Sequence, residues 1–117
     1  MTTPLHPVLS IRLFRDEKCF GSGVAQLLHL VDEHHSLRAA AQTMGMAYSN
    51  AWTVIHRCED ILGFPLLVCS TGGRHGGGAA VTPEARSLLE AYERYCQRLR
   101  QSAETLFQEE FREWISD

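Results

Sequence analysis

The length, composition and charge of this 117-residue chain limit the classes of protein to which it can belong. Hydrophobic residues make up 44% and charged residues 21%, and the formal net charge is −3 at pH 7. These values are typical of one globular domain with a modest core, and no apolar run approaches the ~20 residues that a membrane-spanning helix needs. The N-terminus lacks the cationic start and apolar core of a signal peptide, so we expect a cytoplasmic protein without a membrane partner.

The charges are distributed unevenly. Residues 1–33 hold three cations and four acids, residues 34–82 three cations and two acids, and residues 83–117 five cations and eight acids. The middle region also carries four of the six histidines. This pattern permits a locally positive surface and predicts only modest non-specific affinity for a polyanion.

The first third of the chain predicts a strand hairpin followed by a helix. Residues 8–14 alternate loosely and are rich in β-formers, a polar turn follows, and residues 19–20 begin a short return strand. Ser22 is the expected cap of a helix over residues 24–34. The apolar face of this helix recurs at i, i+3, i+4 and i+7 and comprises Val24, Leu27, Leu28 and Val31.

Residues 36–63 predict two helices joined by a tight turn. Ser36 is the expected N-cap of the first, and Gly45 supplies the positive φ that ends it. The second helix, over residues 47–62, has an apolar face of Ala51, Ile55, Cys58 and Leu62. Its other side carries short hydrogen-bonding groups and a cation that suit base edges in a major groove: Ser49, Asn50, Thr53, His56 and Arg57. An ordinary helical hairpin with a polar outer face is the alternative.

A β-hairpin with a glycine-rich tip is predicted after Gly63. Residues 66–68 predict a buried strand, residues 70–80 contain five glycines around Arg74 and His75, and residues 81–82 predict a return strand. Directly after a recognition helix, such a hairpin is a wing whose tip reaches a flanking backbone or minor groove. A merely flexible tip is the alternative. A phosphate-binding loop is disfavoured, because its required Lys and Ser or Thr are absent.

Thr82, Pro83 and Glu84 predict the start of a long helix. Its apolar pattern continues to about residue 115, which corresponds to a helix roughly 48 Å long. A domain of ~80 residues has a smaller diameter, so the helix must extend beyond it. The overhanging stripe predicts a second copy of the chain as partner, with an interface of Leu88, Tyr92, Tyr95, Leu99, Leu106, Phe107, Phe111 and Trp114. A far end that folds back or frays is the alternative. We divide the chain into a DNA-binding domain (1–82) and a dimerisation helix (83–117).

The four cysteines form no C-x-x-C pair and predict reduced thiols, mostly in the core. A thiol or metal sensor is the alternative, using Cys58, Cys69 or Cys96 near His56 and His75. The serines and histidines lack the spacing of a nucleophile elbow or a metallohydrolase. We therefore predict neither an enzyme nor a metal site.

The order of these parts resembles the N-terminal winged-helix domain of the molybdate-responsive ModE family and, more distantly, LysR-type regulators. The resemblance covers residues 22–95. It is carried by SLRAAA at 36–41, MGM at 44–46, Tyr48 with Ala51-Trp52, LGFPL at 62–66, GGRHGGGA at 72–79, and Thr82 with Ala85 and Leu88-Leu89. It implies a mainly α (α+β) fold: a winged helix-turn-helix with a short N-terminal strand or hairpin, a glycine-rich β wing and a long C-terminal dimerisation helix.

The resemblance also implies a homodimeric transcription regulator that reads a palindrome in double-stranded DNA. Matching positions for base reading are Tyr48, Ser49 and Asn50, with Thr53 one turn on. Ser36 and Arg38 resemble positions that hold phosphate, and the wing adds Arg74 and His75. Trp52 is expected to pack under the hairpin rather than to contact DNA.

Three departures from the family pattern limit what the resemblance implies. Basic residues are frequent in the family where Ser49 and Asn50 stand, and an arginine is frequent where Cys69 stands. The oxyanion-binding domains of full-length members have no room after the long helix, so we expect no molybdate and no other cofactor. The negative net charge leaves a rival function, a protein-interaction module that kept the fold and lost DNA affinity.

Overall fold

The computed structural model describes residues 2–70 and 78–115. This part of the chain forms four strands and five helices, and their order confirms the predicted winged helix-turn-helix. The elements are β1 (Leu13–Arg15), β2 (Glu17–Phe20), α1 (Ser22–His34), α2 (Leu37–Thr43), α3 (Tyr48–Leu62), β3 (Leu67–Ser70), β4 (Gly78–Val81), α4 (Pro83–Glu110) and α5 (Arg112–Ile115).

The N-terminal hairpin is shorter than predicted. β1 and β2 pair antiparallel from Leu13–Phe20 to Arg15–Glu17. The prediction of a strand over residues 8–14 is therefore wrong for its first five residues, because β2 is only four residues long. These residues run beside α4 instead, where the Ile11 carbonyl accepts a hydrogen bond from the Tyr92 hydroxyl at 2.7 Å.

Helices α1 to α3 enclose the core and confirm the predicted apolar faces. All four predicted residues of α1 are buried, and so are Ala51, Ile55 and Cys58 of α3, whereas Leu62 is half-buried. The Ser36 hydroxyl caps α2 by accepting from the Ala39 N–H at 3.0 Å, as predicted. Gly45 takes a φ of +71° in the turn between α2 and α3, a conformation that glycine adopts readily. Helix α1 begins at Ser22 with Gly21 as its N-cap, so the predicted Ser22 cap is wrong.

The base of the wing is packed against the helices. β3 and β4 pair antiparallel from Leu67–Val81 to Ser70–Gly78. Leu66 and Leu67 are buried as predicted, whereas Val68 is exposed because it faces away from the core. The Ala79 N–H donates to the carbonyl of His35 at the end of α1. The wing tip with Arg74 and His75 lies outside the described residues.

Helix α4 starts at the predicted position and belongs to the core over its first half. Thr82 caps it, Pro83 is its first residue, and the side chains on its inner face are buried: Ala85, Leu89, Tyr92 and Cys96. Its 28 residues correspond to about 42 Å. Phe111 interrupts it before α5, so the predicted continuous helix to residue 115 is broken once. Among the described helices, none is both long and apolar enough to cross a membrane.

Candidate nucleic-acid interface

The first turn of α3 exposes the polar side chains predicted to read bases. Tyr48, Ser49 and Asn50 are exposed, and Thr53 follows one turn later on the same outer side. Buried Ala51 and Ile55 fix the opposite side of the helix against the core. The Thr53 hydroxyl donates to the Ser49 carbonyl at 2.9 Å, so toward solvent its oxygen is free mainly as an acceptor.

Arg38 and Ser36 lie where α2, α3 and the wing base meet. The Arg38 guanidinium lies over the Tyr48 ring, 4.2 Å from its centroid. A cavity of about 280 Å³ is lined by Ser36, Arg38 and Tyr48 together with Ser70 and Gly78 at the wing base. The structure thus brings together both predicted phosphate-holding residues and one predicted reading residue. A fixed guanidinium at the edge of an open cavity suits a phosphate oxygen.

Trp52 is placed differently from the prediction. Its side chain is 47% exposed and stacks on the His56 ring at 3.7 Å between centroids and an angle of 18°. The His56 Nδ1–H donates to the Trp52 carbonyl at 2.8 Å, which fixes the imidazole against the indole. The expectation that Trp52 packs under the hairpin is wrong, because positions four residues apart lie on the same helical face and His56 faces outward.

The second half of α3 carries mixed charge. A cavity of about 640 Å³ separates it from the β1–β2 turn, and its lining includes Arg57 and Arg15 with the acids Asp16, Glu17 and Asp60. Arg15 also donates to the Ile61 carbonyl at 3.1 Å, which ties the hairpin to the end of α3. The sequence already indicates Asp60, which follows His56 by one turn on the same face, whereas the approach of Asp16 and Glu17 depends on the fold. The first half of α3 is therefore the better surface for a polyanion.

The cysteines form a pair that the sequence does not reveal. The Sγ atoms of Cys19 and Cys58 lie 3.5 Å apart in the core. Burial and the neighbouring Cys19 raise the pKa of the Cys58 thiol, so it stays protonated near neutral pH. Cys69 is exposed and Cys96 is buried. Within residues 2–70 and 78–115, no group of three or more His, Cys, Asp and Glu residues could hold a metal ion.

The far half of α4 and α5 expose large apolar side chains. Tyr95, Leu106, Phe111 and Trp114 are 44–67% exposed, and Leu88, Leu99 and Phe107 are half-buried. Tyr92 differs from these predicted interface residues, since it is 7% exposed and packs edge-to-face on Phe20. Its place in the interface was predicted wrongly, because its hydroxyl bonds to Ile11 within the same chain.

Comparison with known proteins identifies the family. Residues 24–86, which include the helix-turn-helix and the start of α4, match the family described as bacterial regulatory helix-turn-helix protein, lysR family. The chain belongs to this lysR family. The predicted resemblance to regulators of this type is therefore confirmed.

A molybdenum-pterin-binding protein and two transcriptional regulators are among the relatives of this lysR-family chain. It is 33% identical over 72 residues to the molybdenum-pterin-binding protein MopB of Rhodobacter capsulatus. The aligned segment covers 62% of this chain and 27% of MopB. It is 35% identical over 68 residues to the transcriptional regulator ModE of Haemophilus influenzae, covering 58% of this chain and 27% of the relative.

The DNA-binding transcriptional dual regulator ModE of Escherichia coli K12 is 31% identical over 58 residues, 50% of this chain and 22% of that protein. The matched segment thus spans about a quarter of the length of these relatives. Two of these relatives are named as transcriptional regulators, which is consistent with the expectation that this chain is not an enzyme.

Proposed function

We propose that this lysR-family chain binds a palindromic site in double-stranded DNA as a homodimer. In this proposal α3 enters the major groove with its first turn, and the wing contacts the flanking backbone or minor groove. Each protomer reads one half-site, and α4 with α5 joins the two protomers.

The exposed first turn of α3 is the observation that carries the proposal. Ser49 and Asn50 offer hydrogen-bonding groups at the end of a helix whose other face is locked in the core. Asn50 can donate to and accept from an adenine edge at the same time. Arg38, held over Tyr48, lies beside this turn and supplies the positive charge for a phosphate.

The dimer is supported by the exposed apolar side chains of α4 and α5. Exposed aromatic and aliphatic side chains that recur along one helix are typical of an interface with another protein. Phe107, Phe111 and Trp114 already contact one another in sequence order, with ring centroids 5.0 and 6.1 Å apart. This cluster gives a second copy a preformed apolar surface.

Selection of bound duplexes from a random DNA pool tests the proposal. We expect an enriched palindrome with half-sites about one helical turn apart, together with a dimer by light scattering. Affinity for the enriched site should fall steeply as salt rises. A single enriched half-site, or a monomer that binds as tightly, would contradict the dimeric arrangement.

A protein-interaction module is the second candidate, and the acids beside α3 favour it. Asp16, Glu17 and Asp60 lower the potential near Arg57 and oppose contact with phosphates. If this candidate holds, selection at low salt enriches no sequence although the protein is still dimeric. Weak, salt-sensitive binding without sequence preference would lead to the same conclusion.

We also propose that DNA binding by residues 1–117 requires no molybdate or other cofactor. The test compares affinity for the selected site in metal-free buffer with and without added molybdate. Equal affinities are expected, and a large gain with molybdate would refute this part of the proposal.

A further inference from the structure

A second cavity lies between the start of α1, the α2–α3 turn and the side of α3. Its volume is about 290 Å³, close to the lower end of pockets that hold small molecules. Apolar side chains from all three elements line it: Val24, Leu27, Met44, Met46 and Val54. Val24 and Leu27 are buried, so this part of the wall is fixed by the core, whereas the methionines can adapt to a ligand.

The charged groups of this cavity are all cationic. Lys18 and Arg57 line it, and its lining within the described residues includes no Asp or Glu. The first turn of α1, with Gly21 and Gly23, also faces the cavity. This turn has no acidic residue and, within the described chain, no side-chain cap, so it adds partial positive charge. The cavity therefore favours an anion over a neutral ligand of the same shape.

Gly23 keeps the cavity open at the cost of helix stability. Glycine is the poorest helix former after proline, yet Gly23 lies in the first turn of α1. A Cβ built on Gly23 would meet no heavy atom of the described chain within 4 Å, so packing does not require glycine there. A ligand that approaches the backbone closely would require it.

We propose that this cavity binds a small amphipathic carboxylate. The apolar part of the ligand lies against Val24, Leu27 and Val54, and its carboxylate lies between Lys18, Arg57 and the first-turn amides of α1. Arg57 belongs to the predicted reading face, so a carboxylate paired with it removes positive charge beside α3 and weakens DNA binding. That regulatory step rests on the proposed function, whereas the binding step does not.

Titration of the full chain with 2-naphthoate, followed by amide NMR shifts, tests the binding step without DNA. We expect saturable shifts at Gly21, Gly23 and Val54. The neutral 2-naphthamide should bind at least about fivefold more weakly, because it cannot form charge-assisted hydrogen bonds. Lys18→Gln should weaken 2-naphthoate by a similar factor and leave 2-naphthamide unchanged. Arg112→Gln, which removes a cation on α5 outside the cavity, is the matched control and should change neither.

A variant that fills the cavity gives an independent check. Gly23→Leu adds a side chain where there is space for its Cβ, and it should abolish the 2-naphthoate shifts while the unfolding temperature is kept or raised. Should this variant not fold, Lys18→Gln still decides the matter. No saturable shift up to about 10 mM ligand, or equal shifts with inorganic phosphate, would overturn the proposed site.

The regulatory step has a separate readout. 2-Naphthoate should weaken binding of the wild type to its selected DNA several-fold and have less effect on Lys18→Gln. If the protein binds no DNA but the amide shifts persist, the proposed function fails and the ligand site stands. If DNA binding is normal and insensitive to saturating 2-naphthoate, the regulatory step is wrong.

Discussion

Thr82 joins the wing to α4 through one buried hydroxyl. This hydroxyl donates to the Pro65 carbonyl at 2.8 Å and accepts from the Ala85 N–H at 3.1 Å, and the side chain is 3% exposed. Thr82→Ala leaves both partners unpaired, so we expect the free energy of unfolding to fall by about 1–2 kcal/mol. Urea denaturation measures the loss. Thr105→Ala on the exposed side of α4 should change it by less than about 0.5 kcal/mol, and equal losses would contradict the assigned role.

Asn50 is the side chain on which base reading depends most in the proposed complex. Removing its amide leaves a base edge without both hydrogen bonds, so Asn50→Ala should cost ~1–3 kcal/mol on the selected site and relax specificity at one base pair. Competition binding against single-base variants of the site measures both effects. Gln26→Ala removes the same amide from the exposed side of α1 and should leave affinity unchanged. An unchanged affinity of Asn50→Ala would mean that another face of α3 reads the DNA.

Single residues were predicted well where the cause is local and poorly where it is distant. Ser36 and Thr82 cap the helices that their neighbours already indicate, since a cap is set by residues within one turn. Tyr92 was misplaced because its partner Ile11 is 81 residues away in the chain. Trp52 was misplaced because its hydrophobicity suggested burial, although its helical position next to His56 puts it outside.

At the scale of elements, Arg86 and Asp32 join α4 to α1. The guanidinium donates two hydrogen bonds to the carboxylate, at 2.9 and 2.7 Å. Arg86 thereby holds the pKa of Asp32 below its ordinary value, although partial burial acts in the opposite direction. Because the folded pKa is lower than the unfolded one, the pair stabilises the fold above the unfolded pKa. This stabilisation is lost as the pH falls through the folded pKa.

Arg86→Gln should therefore lower the urea midpoint at pH 7, and its difference from the wild type should shrink as the pH falls below about 4. Taking the difference at each pH removes the contribution of the titrating groups that both proteins share. Arg112→Gln on α5 is the control and should show no such convergence. A difference that stays constant down to about pH 2 would show that the ion pair does not cause the effect.

The helices were predictable where the hydrophobic periodicity agrees with the residues that signal a helix end. α3 and α4 each combine a helical apolar stripe with an end signal, Gly63 for α3 and Pro83 for α4. The strand over residues 8–14 failed because alternation alone does not supply a partner strand. The family pattern indicates Ser36 and Arg38, which line the cavity where phosphate binding is predicted. The apolar cavity beside α1 depends instead on how three elements meet. No local pattern records that arrangement.

At the scale of the whole molecule, we expect the apolar stripe on α4 to determine whether the protein is a monomer or a dimer. Leu106 is 57% exposed and lies on the same side of the helix as Tyr95 and Leu99. Leu106→Glu places a charge in the proposed interface, so we expect a shift to monomer by light scattering and at least about tenfold weaker binding to the palindrome. Gln97→Glu adds the same charge on the opposite side of α4, nine residues earlier in the chain, and should remain dimeric. A Leu106→Glu variant that stays dimeric would place the interface elsewhere.

The polar contacts between α1 and α4 also affect the position of atoms far from the contacts themselves. Arg86 with Asp32 and His29 with Glu93 bridge α1 and α4 beside the buried residues that hold α4 on the core. A tilt of about 5° at Arg86 moves the end of α4, about 36 Å away, by roughly 3 Å, close to the rise of one base pair. In the proposed dimer, these surface contacts would therefore influence the register between half-sites, so operator spacing would depend partly on residues far from any that touches DNA.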